Sequence, residues 1–509
     1  MRGRTFHSIR NSGVALVIFI ISIVLQFFSR KVFIDYLGNE ILGLNTTATS
    51  LLQFLNLAEL GVGTAITYAL YKPLNRKDYA TINEIITLQG WLYRRIAFVV
   101  IAGSLVIMTF FPFIFSKMQL PLWYAYASFS VLLFSSLLSY FVNYKEILLS
   151  ASQQEYKIHY SFRLTMLTKI LFQILFIMHL ENGYIWWLIL EISFAIIASI
   201  VLNITIHKSF PFLADCQITG KELAKKYSEI TLKIKQYFFH KIAGFALFQT
   251  SSIIIYGFTT LTMVAIYGNY MLIVNGLWGL LNAVFNGMAA SIGDLVSEGD
   301  SKRNILVMRE LFTSRFLVVG TLSFAIFMIA NPFVAIWVGK EYVLDRYALL
   351  LIATTFFLNN IRSVVDSYIA AYGLFRDIWA PIVEAILNVG FSVLLGYYWG
   401  LHGILLGVIV SLVAIVFIWK PYFLFTEGIK APCSIYYLMF FKHLLILCGV
   451  SSLTIWLFNS LPIETIDSYS RLIPYSFGLI SVFSILMFCG LYATELGMRN
   501  FVSRFIKRR

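Results

Sequence analysis

Residues 13–28 read GVALVIFIISIVLQFF, a run of sixteen residues without a charged side chain near the N-terminus. Three arginines precede this run, and Ser29-Arg30-Lys31 follows it directly. A membrane-spanning helix needs about 20 mainly apolar residues. A cleaved signal peptide would end at a small-residue site, and none follows here. The stretch therefore predicts an uncleaved first transmembrane helix.

Apolar residues dominate the rest of the chain as well. Of its 509 residues, 59% are hydrophobic and only 13% are charged, whereas a soluble domain carries about 25% charged residues. A protein of this size cannot hide so much apolar surface in one aqueous core. The composition therefore predicts an integral membrane protein whose solvent is the lipid bilayer.

The net charge of +14 is assigned to cytoplasmic loops, where lysine and arginine fix the orientation of membrane helices, rather than to nucleic-acid binding. The four cysteines and seven histidines are scattered, without the paired spacing of a metal site or the pattern of a disulfide framework. The sequence therefore predicts no metal site, no cofactor and no nucleic-acid partner.

The same length rule, applied along the whole chain, predicts about fourteen transmembrane helices and hence an all-α fold. The predicted spans are 12–35, 41–70, 84–112, 122–149, 157–180, 184–206, 238–260, 264–296, 305–337, 347–374, 378–399, 402–420, 434–459 and 473–494.

The segments between these spans alternate in charge. One set is rich in lysine and arginine, and the positive-inside rule places it in the cytoplasm together with both termini. The other set is short and poor in basic residues. We therefore expect a multi-pass protein of the bacterial inner membrane. The basic set contains Lys72, Arg76, Lys77, Lys145, Lys157, Lys302, Arg303, Arg376, Lys420, Lys430, Arg504, Lys507, Arg508 and Arg509.

The two halves of the chain look related. The helix that begins near Asn45 and the helix that begins near Asn269 both carry small and polar side chains at helical spacing, and transporters are commonly built from internal repeats. We predict one six-helix bundle in residues 1–207, a second in residues 238–420, and two additional helices with a basic tail in residues 421–509.

Residues 208–237 predict a basic amphipathic linker between these bundles. Apolar residues recur from Leu223 to Tyr237 with lysines between them, which is typical of a helix that lies at a membrane interface. Contact with an anionic lipid or a partner protein is one interpretation. A plain connection between the two halves is the favoured one.

Charged residues inside the predicted spans are candidates for function, because a charge in lipid is costly unless it faces protein or water. Arginine binds phosphate well, so the basic residues are predicted to line a central cavity that takes an anionic head group. The acidic residues are predicted to gate the site or to bind a coupling proton or sodium ion. The basic set is Arg30, Arg163, Lys169, Arg315 and Arg362, and the acidic set is Glu59, Asp294, Asp366 and Glu384.

Purely structural roles remain open for some of these residues. Arg362 and Asp366 are four residues apart on one helix face and can neutralise each other. Glu384, Asn388 and Ser392 also share a face, and polar faces of this kind can hold membrane helices together.

The sequence carries no enzyme motif that we recognise. A phosphate-cradling glycine loop outside the spans, a nucleophile elbow and a zinc-protease pattern are all missing. A membrane polymerase that joins sugars would need a sizeable external loop, whereas the predicted external segments are short. These features weigh against an enzyme.

Several long motifs resemble the Wzx-type polysaccharide transporters of the MOP exporter superfamily. They follow one another in order and cover nearly the whole chain. They are residues Phe33–Asn45 (FIDYLGNEILGLN), Leu57–Ile66 (LAELGVGTAI), Tyr71–Leu74 (YKPL), Ile266–Asn275 (IYGNYMLIVN), Ala371–Phe375 (AYGLF), Pro381–Asn388 (PIVEAILN) and Gly403–Gly407 (GILLG).

This resemblance implies two MATE-like six-helix bundles around a central cavity, alternating access, and undecaprenyl-diphosphate-linked oligosaccharides as cargo. It also implies supply to O-antigen, capsule or exopolysaccharide assembly, driven by an ion gradient, beside a polysaccharide polymerase and a chain-length regulator. The alternatives are a multidrug exporter or a lipid II flippase of the same superfamily, and, from another class, a membrane glycan polymerase or ligase.

Overall fold

A computed structural model describes residues 2–59, 61–214, 216–234, 250–285, 288–374, 376–377, 379–460 and 466–506. These residues are almost entirely helical, and no strand occurs among them. The chain divides into two compact units, Met1–Ala265 and Ile266–Arg509. The domain limits expected from the sequence stay a prediction.

The first unit is built mainly from long apolar helices joined by short turns. Its helices are α1 Arg2–Leu37, α2 Asn39–Leu55, α3 Val62–Arg76, α4 Tyr79–Thr109, α5 Phe111–Ile114, α6 Trp123–Phe141, α7 Ile147–Ala151, α8 Glu155–Ile158, α9 Leu164–His179, α10 Gly183–Ser209, α11 Gly220–Lys226, α12 Ser251–Phe258 and the beginning of α13 Leu261–Phe285.

The second unit has the same all-helical character. It contains the remainder of α13 and then α14 Met288–Ser297, α15 Ser301–Trp337, α16 Arg346–Ile361, α17 Ser363–Ala371, α18 Trp379–Ser411, α19 Lys420–Phe423, α20 Ser434–Asn459, α21 Tyr469–Thr494 and α22 Leu496–Ile506. Two π-helical segments, Leu412–Trp419 and Leu424–Ile429, flank α19.

Large apolar side chains cover the outside of both units. Phe98 and Leu105 of α4 are 64% and 60% exposed, and Leu445 of α20 and Phe477 of α21 are 75% and 74% exposed. Apolar side chains are more stable in contact with lipid tails than with water. The chain is therefore a multi-pass membrane protein, as the composition predicts.

Eleven helical segments among the described residues are long and apolar enough to cross a membrane. The predicted count of fourteen differs at three places. Predicted span 41–70 is broken into two shorter helices, and most of predicted span 238–260 lies outside the described residues. Predicted spans 378–399 and 402–420 fall in one helical segment, Trp379–Ile429.

That segment reverses direction at Gly400, whose φ of 54° and ψ of −130° are not helical. A Cβ at Gly403 would lie 1.9 Å from the carbonyl oxygen of Leu395, and the side chains of Asn388 and Ser411 are 3.4 Å apart. The two halves of α18 therefore pack side by side. A straight helix of 51 residues would be about 76 Å long, far longer than the roughly 30 Å hydrocarbon core.

The break in predicted span 41–70 follows from one glycine. A single 3₁₀ turn, Asn56–Glu59, ends α2, and Gly61 then adopts φ 94° before α3 begins. Glycine adopts this left-handed conformation without the steric cost that other residues meet. The sequence-based assignment of Glu59 to the middle of a continuous helix was therefore wrong, because Glu59 lies at the break.

Candidate functional site

The second unit contains a cluster of buried and partly buried charges that links three helical elements. Arg362 lies at the junction of α16 and α17, where its Nε is 2.9 Å from Asp366 Oδ2 and one terminal nitrogen is 3.0 Å from Glu384 Oε1. Lys420 Nζ is 2.6 Å from Asp366 Oδ1. Only 1% of the Glu384 side chain and 20% of the Arg362 side chain are exposed. We call these four residues the charge cluster.

Arg315 of α15 lies close to this cluster and is 4% exposed. Its Nε donates to the backbone carbonyl of Asn360 at 2.7 Å, two residues before Arg362. Its guanidinium carbon is 4.6 Å from the ring centroid of Phe285, a cation–π contact. Among the described residues, no carboxylate lies within salt-bridge distance of Arg315.

Local sequence explains how α18 presents Glu384. Residues Glu384, Asn388 and Ser392 are each 1% exposed and share one helix face. Further along α18, Ser392 Oγ donates to the Ile404 carbonyl at 3.1 Å across the turn at Gly400. On this polar face, Ser392 therefore holds the hairpin together, and Glu384, eight residues earlier, contacts Arg362.

The first unit holds a second buried ion pair, between α9 and α10. Lys169 Nζ is 2.6 Å from Glu191 Oε1, and Gln173 Nε2 donates to Glu191 Oε2 at 2.9 Å. Only 14% of the Lys169 side chain and 12% of the Glu191 side chain are exposed. The lysine predicted to bind an anionic head group is therefore neutralised within the protein.

Arg163 opens onto a polar cavity of about 470 Å³ at one end of α6 and α9. Glu146, Glu155 and His159 line the same cavity, so Arg163 lies among mixed charges rather than among basic residues alone. Asn143, which is 4% exposed, points an unbonded Oδ1 into the protein here, while its Nδ2 donates to Ser199.

The remaining predicted site residues have separate surroundings. A terminal nitrogen of Arg30 in α1 donates to the Ala265 carbonyl at 2.9 Å. Glu59 accepts a hydrogen bond from the Tyr93 hydroxyl at 2.9 Å. Asp294 is exposed on the short helix α14, beyond the apolar span 261–282. Its placement inside a membrane helix stays a prediction, because residues 286–287 between α13 and α14 lie outside the described residues.

The structure thus divides the predicted residues between the two units. Arg30, Glu59, Arg163 and Lys169 lie in the first unit, and the others lie in the second. Within the second unit, Arg315, Arg362, Asp366 and Glu384 lie close together. Among the described residues, no group of three histidine, cysteine or acidic side chains is placed to hold a metal.

Two important partners were missed from the sequence. Glu191 is a lone carboxylate in the apolar run 184–206, which is the signal that should have marked it. Lys420 was counted with the cytoplasmic loops, but its ammonium group reaches Asp366. Helical spacing predicts neither contact, because the partners are 22 and 54 residues apart in sequence.

Comparison with known proteins gives a likeness in structure only. No family model matches the sequence, and no curated protein matches it. A MATE-family multidrug resistance transporter of the MOP superfamily, in an inward-facing conformation, matches with a TM-score of 0.58 and 15% identity. The match covers 82% of this chain and 99% of that transporter.

A lipid II flippase, MurJ, in an inward closed conformation, matches with a TM-score of 0.62 and 13% identity over 93% of this chain and 98% of the flippase. The outward-facing conformation of a MATE-family multidrug resistance transporter of the MOP superfamily matches with a TM-score of 0.50 and 15% identity. This match covers 83% of this chain and 96% of that transporter. This chain has the fold of a MOP-superfamily transporter. The neighbours named here are transporters or flippases, and the predicted MOP-like fold is confirmed.

Proposed function

We propose that this protein is a flippase for oligosaccharide repeat units carried on undecaprenyl diphosphate. It moves them from the cytoplasmic to the outer face of the bacterial inner membrane by alternating access, driven by an ion gradient. The products serve O-antigen, capsule or exopolysaccharide assembly, in company with a polysaccharide polymerase and a chain-length regulator. One observation carries this proposal furthest, namely the imbalance of charge around Arg315.

Three basic groups, Arg315, Arg362 and Lys420, lie in this region of the second unit with two carboxylates, Asp366 and Glu384. Both carboxylates are bonded to Arg362 or Lys420. Asp366 attracts Arg315 electrostatically but does not bond to it, so the direct contacts of Arg315 are to a carbonyl and an aromatic ring. A positive charge buried in a membrane protein is costly without an anionic partner. A diphosphate is an anion that guanidinium groups bind by charge-assisted hydrogen bonds.

The same imbalance counts against a cationic drug as cargo. A site for cationic compounds would offer free carboxylates, whereas the two carboxylates of the charge cluster are already occupied by Arg362 and Lys420. The cluster has a second use in the proposed cycle. Release of Glu384 from Arg362, or of Asp366 from both Arg362 and Lys420, would expose a carboxylate for a coupling proton or sodium ion. Glu59, at the break between α2 and α3, is a further candidate.

Lipid II is the second candidate cargo, because one of the similar structures, matched over 93% of this chain, is a lipid II flippase. The match reaches 93% of the chain, against 82% for the inward-facing MATE transporter. Both candidate cargoes present a lipid-linked diphosphate to the same basic groups, and they differ in the sugar.

The test is made in cells that lack this protein, by extracting lipid-linked oligosaccharides and asking which membrane face holds them. We expect complete repeat units on the cytoplasmic face, relieved by the intact gene and by Arg346→Gln but not by Arg315→Gln. Arg346 is the matched control, because its guanidinium also lies over a ring, that of Phe327 at 5.3 Å, yet it is exposed at a helix start. Normal export in the absence of the protein would overturn the proposal.

A further inference from the structure

A second pocket, of about 600 Å³, lies in the first unit where α3 ends and α4 begins. One wall is formed by the last turns of α3, and the opposite wall by the segment after α11. Three lysines and three tyrosines line it, together with one acidic residue. The lysines are Lys72, Lys226 and Lys233, the tyrosines are Tyr68, Tyr71 and Tyr227, and the acidic residue is Glu229.

The wall after α11 is docked on α4 by specific contacts and is more than a loose connection. A capping box between Thr219 and Glu222 begins α11. Gly220 lies so close to Trp91 that a Cβ there would be 2.2 Å from the indole. Glu84 of α4 accepts from Lys226 Nζ at 2.6 Å and from the Tyr227 hydroxyl at 2.5 Å. These contacts fix the helical residues 228–234, which carry Lys233.

The charges of the pocket are not balanced. Lys226 is paired with Glu84, but Lys72 makes no ion pair among the described residues, and Lys233 lies over the ring of Tyr68 at 3.8 Å. Glu229 is the one carboxylate of the lining. Two ammonium groups are therefore available to an anion, beside tyrosine hydroxyls that donate hydrogen bonds.

The depth of the pocket identifies the kind of anion. Thr81 and Ile85 in the first turns of α4 line it. The 31-residue α4 is about 46 Å long, longer than the roughly 30 Å hydrocarbon core, so its first turns are expected at the level of the lipid head groups. Tyr68 and Tyr71 are 57% and 53% exposed, as expected of side chains at the level of lipid head groups. Basic pockets at this level bind phosphate head groups of lipids.

We propose that this pocket binds the phosphate of a membrane lipid through Lys72 and Lys233, with the tyrosines around it. The site is separate from the charge cluster and does not depend on the proposed function. Its ligand has two possible sources with the same chemistry, a resident anionic phospholipid and the diphosphate of a polyprenyl lipid.

The test is a titration of the purified full-length protein with phosphatidylglycerol, phosphatidylcholine and undecaprenyl diphosphate, followed by native mass spectrometry. Each lysine near a lipid phosphate contributes about fivefold in affinity. We expect the double variant Lys72→Gln/Lys233→Gln to bind the anionic probe about 25-fold more weakly and to keep its weak binding of phosphatidylcholine.

The matched control is Lys221→Gln/Lys225→Gln, which removes two charges from α11 outside the pocket lining. The control should bind as the natural protein does, and all variants are compared by thermal melting. Tighter binding of phosphatidylglycerol identifies a resident lipid, and tighter binding of undecaprenyl diphosphate identifies cargo capture. Equal losses in both double variants, or no loss in either, would overturn the site.

Discussion

At the scale of single residues, the buried charges of this protein are held in pairs that join different helices. Lys169 and Glu191 bridge α9 and α10, and Arg362 reaches from the α16–α17 junction to Glu384 of α18. Removing one partner leaves the other charged in a low-dielectric region, which costs more than the intact pair contributes. Among the fully buried charged residues that the structure describes, Arg315 has no ion-pair partner within salt-bridge distance, and this motivates the proposed cargo.

The pair in the first unit gives a direct prediction. Lys169→Met should lower the free energy of unfolding by about 3–5 kcal/mol, because it leaves the Glu191 carboxylate buried without its cation. Lys169→Met/Glu191→Met should be less destabilised than Lys169→Met alone, since no buried charge then remains. Melting of the purified protein in detergent measures both.

The exposed pair of Arg471 and Asp467, with side chains 45% and 59% exposed, supplies the control. Arg471→Met should cost no more than about 1 kcal/mol. A double variant as unstable as the Lys169 single variant would show that Lys169 acts through packing and not through charge.

A pH effect is expected at Asp345, which caps the N-terminus of α16 outside the membrane spans. Burial raises the pKa of Asp345, but hydrogen bonds from the Ala348 N–H and from His402, 2.7 Å away, outweigh it and leave the pKa below its ordinary value. The carboxylate therefore stabilises the fold above its unfolded pKa of about 3.9, and this contribution is lost as the pH falls.

Asp345→Asn removes this titrating group while keeping a cap. The drop in melting temperature between pH 5 and pH 2 should be smaller in Asp345→Asn than in the natural protein, because the contribution is lost as the pH falls through the folded pKa. An unchanged drop would mean that Asp345 has the same pKa folded and unfolded.

At the scale of helical elements, the close pairing within α18 depends on small residues at the contact. Gly403→Val should lower the free energy of unfolding by about 3 kcal/mol or more, because its Cβ would meet the Leu395 carbonyl oxygen at 1.9 Å. Gly390→Val is the control on the same element, since no neighbouring atom lies within 4 Å of a Cβ there. Melting and expression level compare the two, and equal effects would contradict the hairpin.

The membrane-spanning helices of this protein were predictable wherever the length of an apolar run is enough to define them. Most of the spans follow from that rule, and the break at Gly400 falls between two predicted spans. The break at Gly61 was not foreseen, because one glycine in an apolar run is also compatible with a continuous helix.

The candidate site was predictable only within a helix. The spacing of Arg362 and Asp366 gives their contact, whereas the pairing of Asp366 with Lys420 depends on how distant segments pack. The sequence therefore shows which charged residues lie within a predicted span, but it does not predict which distant residue neutralises each of them.

At the scale of the whole molecule, the charge alternation predicts on which side each loop lies. Lys340 lies in the short segment between predicted spans 305–337 and 347–374, which is expected outside the cytoplasm. In a variant whose four native cysteines are serine, Lys340→Cys should therefore react with a membrane-impermeant maleimide in intact spheroplasts. Lys302→Cys should react only after lysis, because its loop is expected in the cytoplasm. Labelling of Lys302→Cys in intact spheroplasts would show that the protein has the opposite orientation in the membrane.

A transport measurement on the purified protein tests the proposed cargo most directly. Vesicles are prepared with fluorescent undecaprenyl-diphosphate-linked oligosaccharide in the outer leaflet, and its movement to the inner leaflet is followed by loss of quenching under an imposed proton or sodium gradient. The proposed function predicts movement by the natural protein and by Arg346→Gln, and at least a tenfold lower rate for Arg315→Gln. No movement by the natural protein, with expulsion of a cationic dye from the same vesicles, would contradict it.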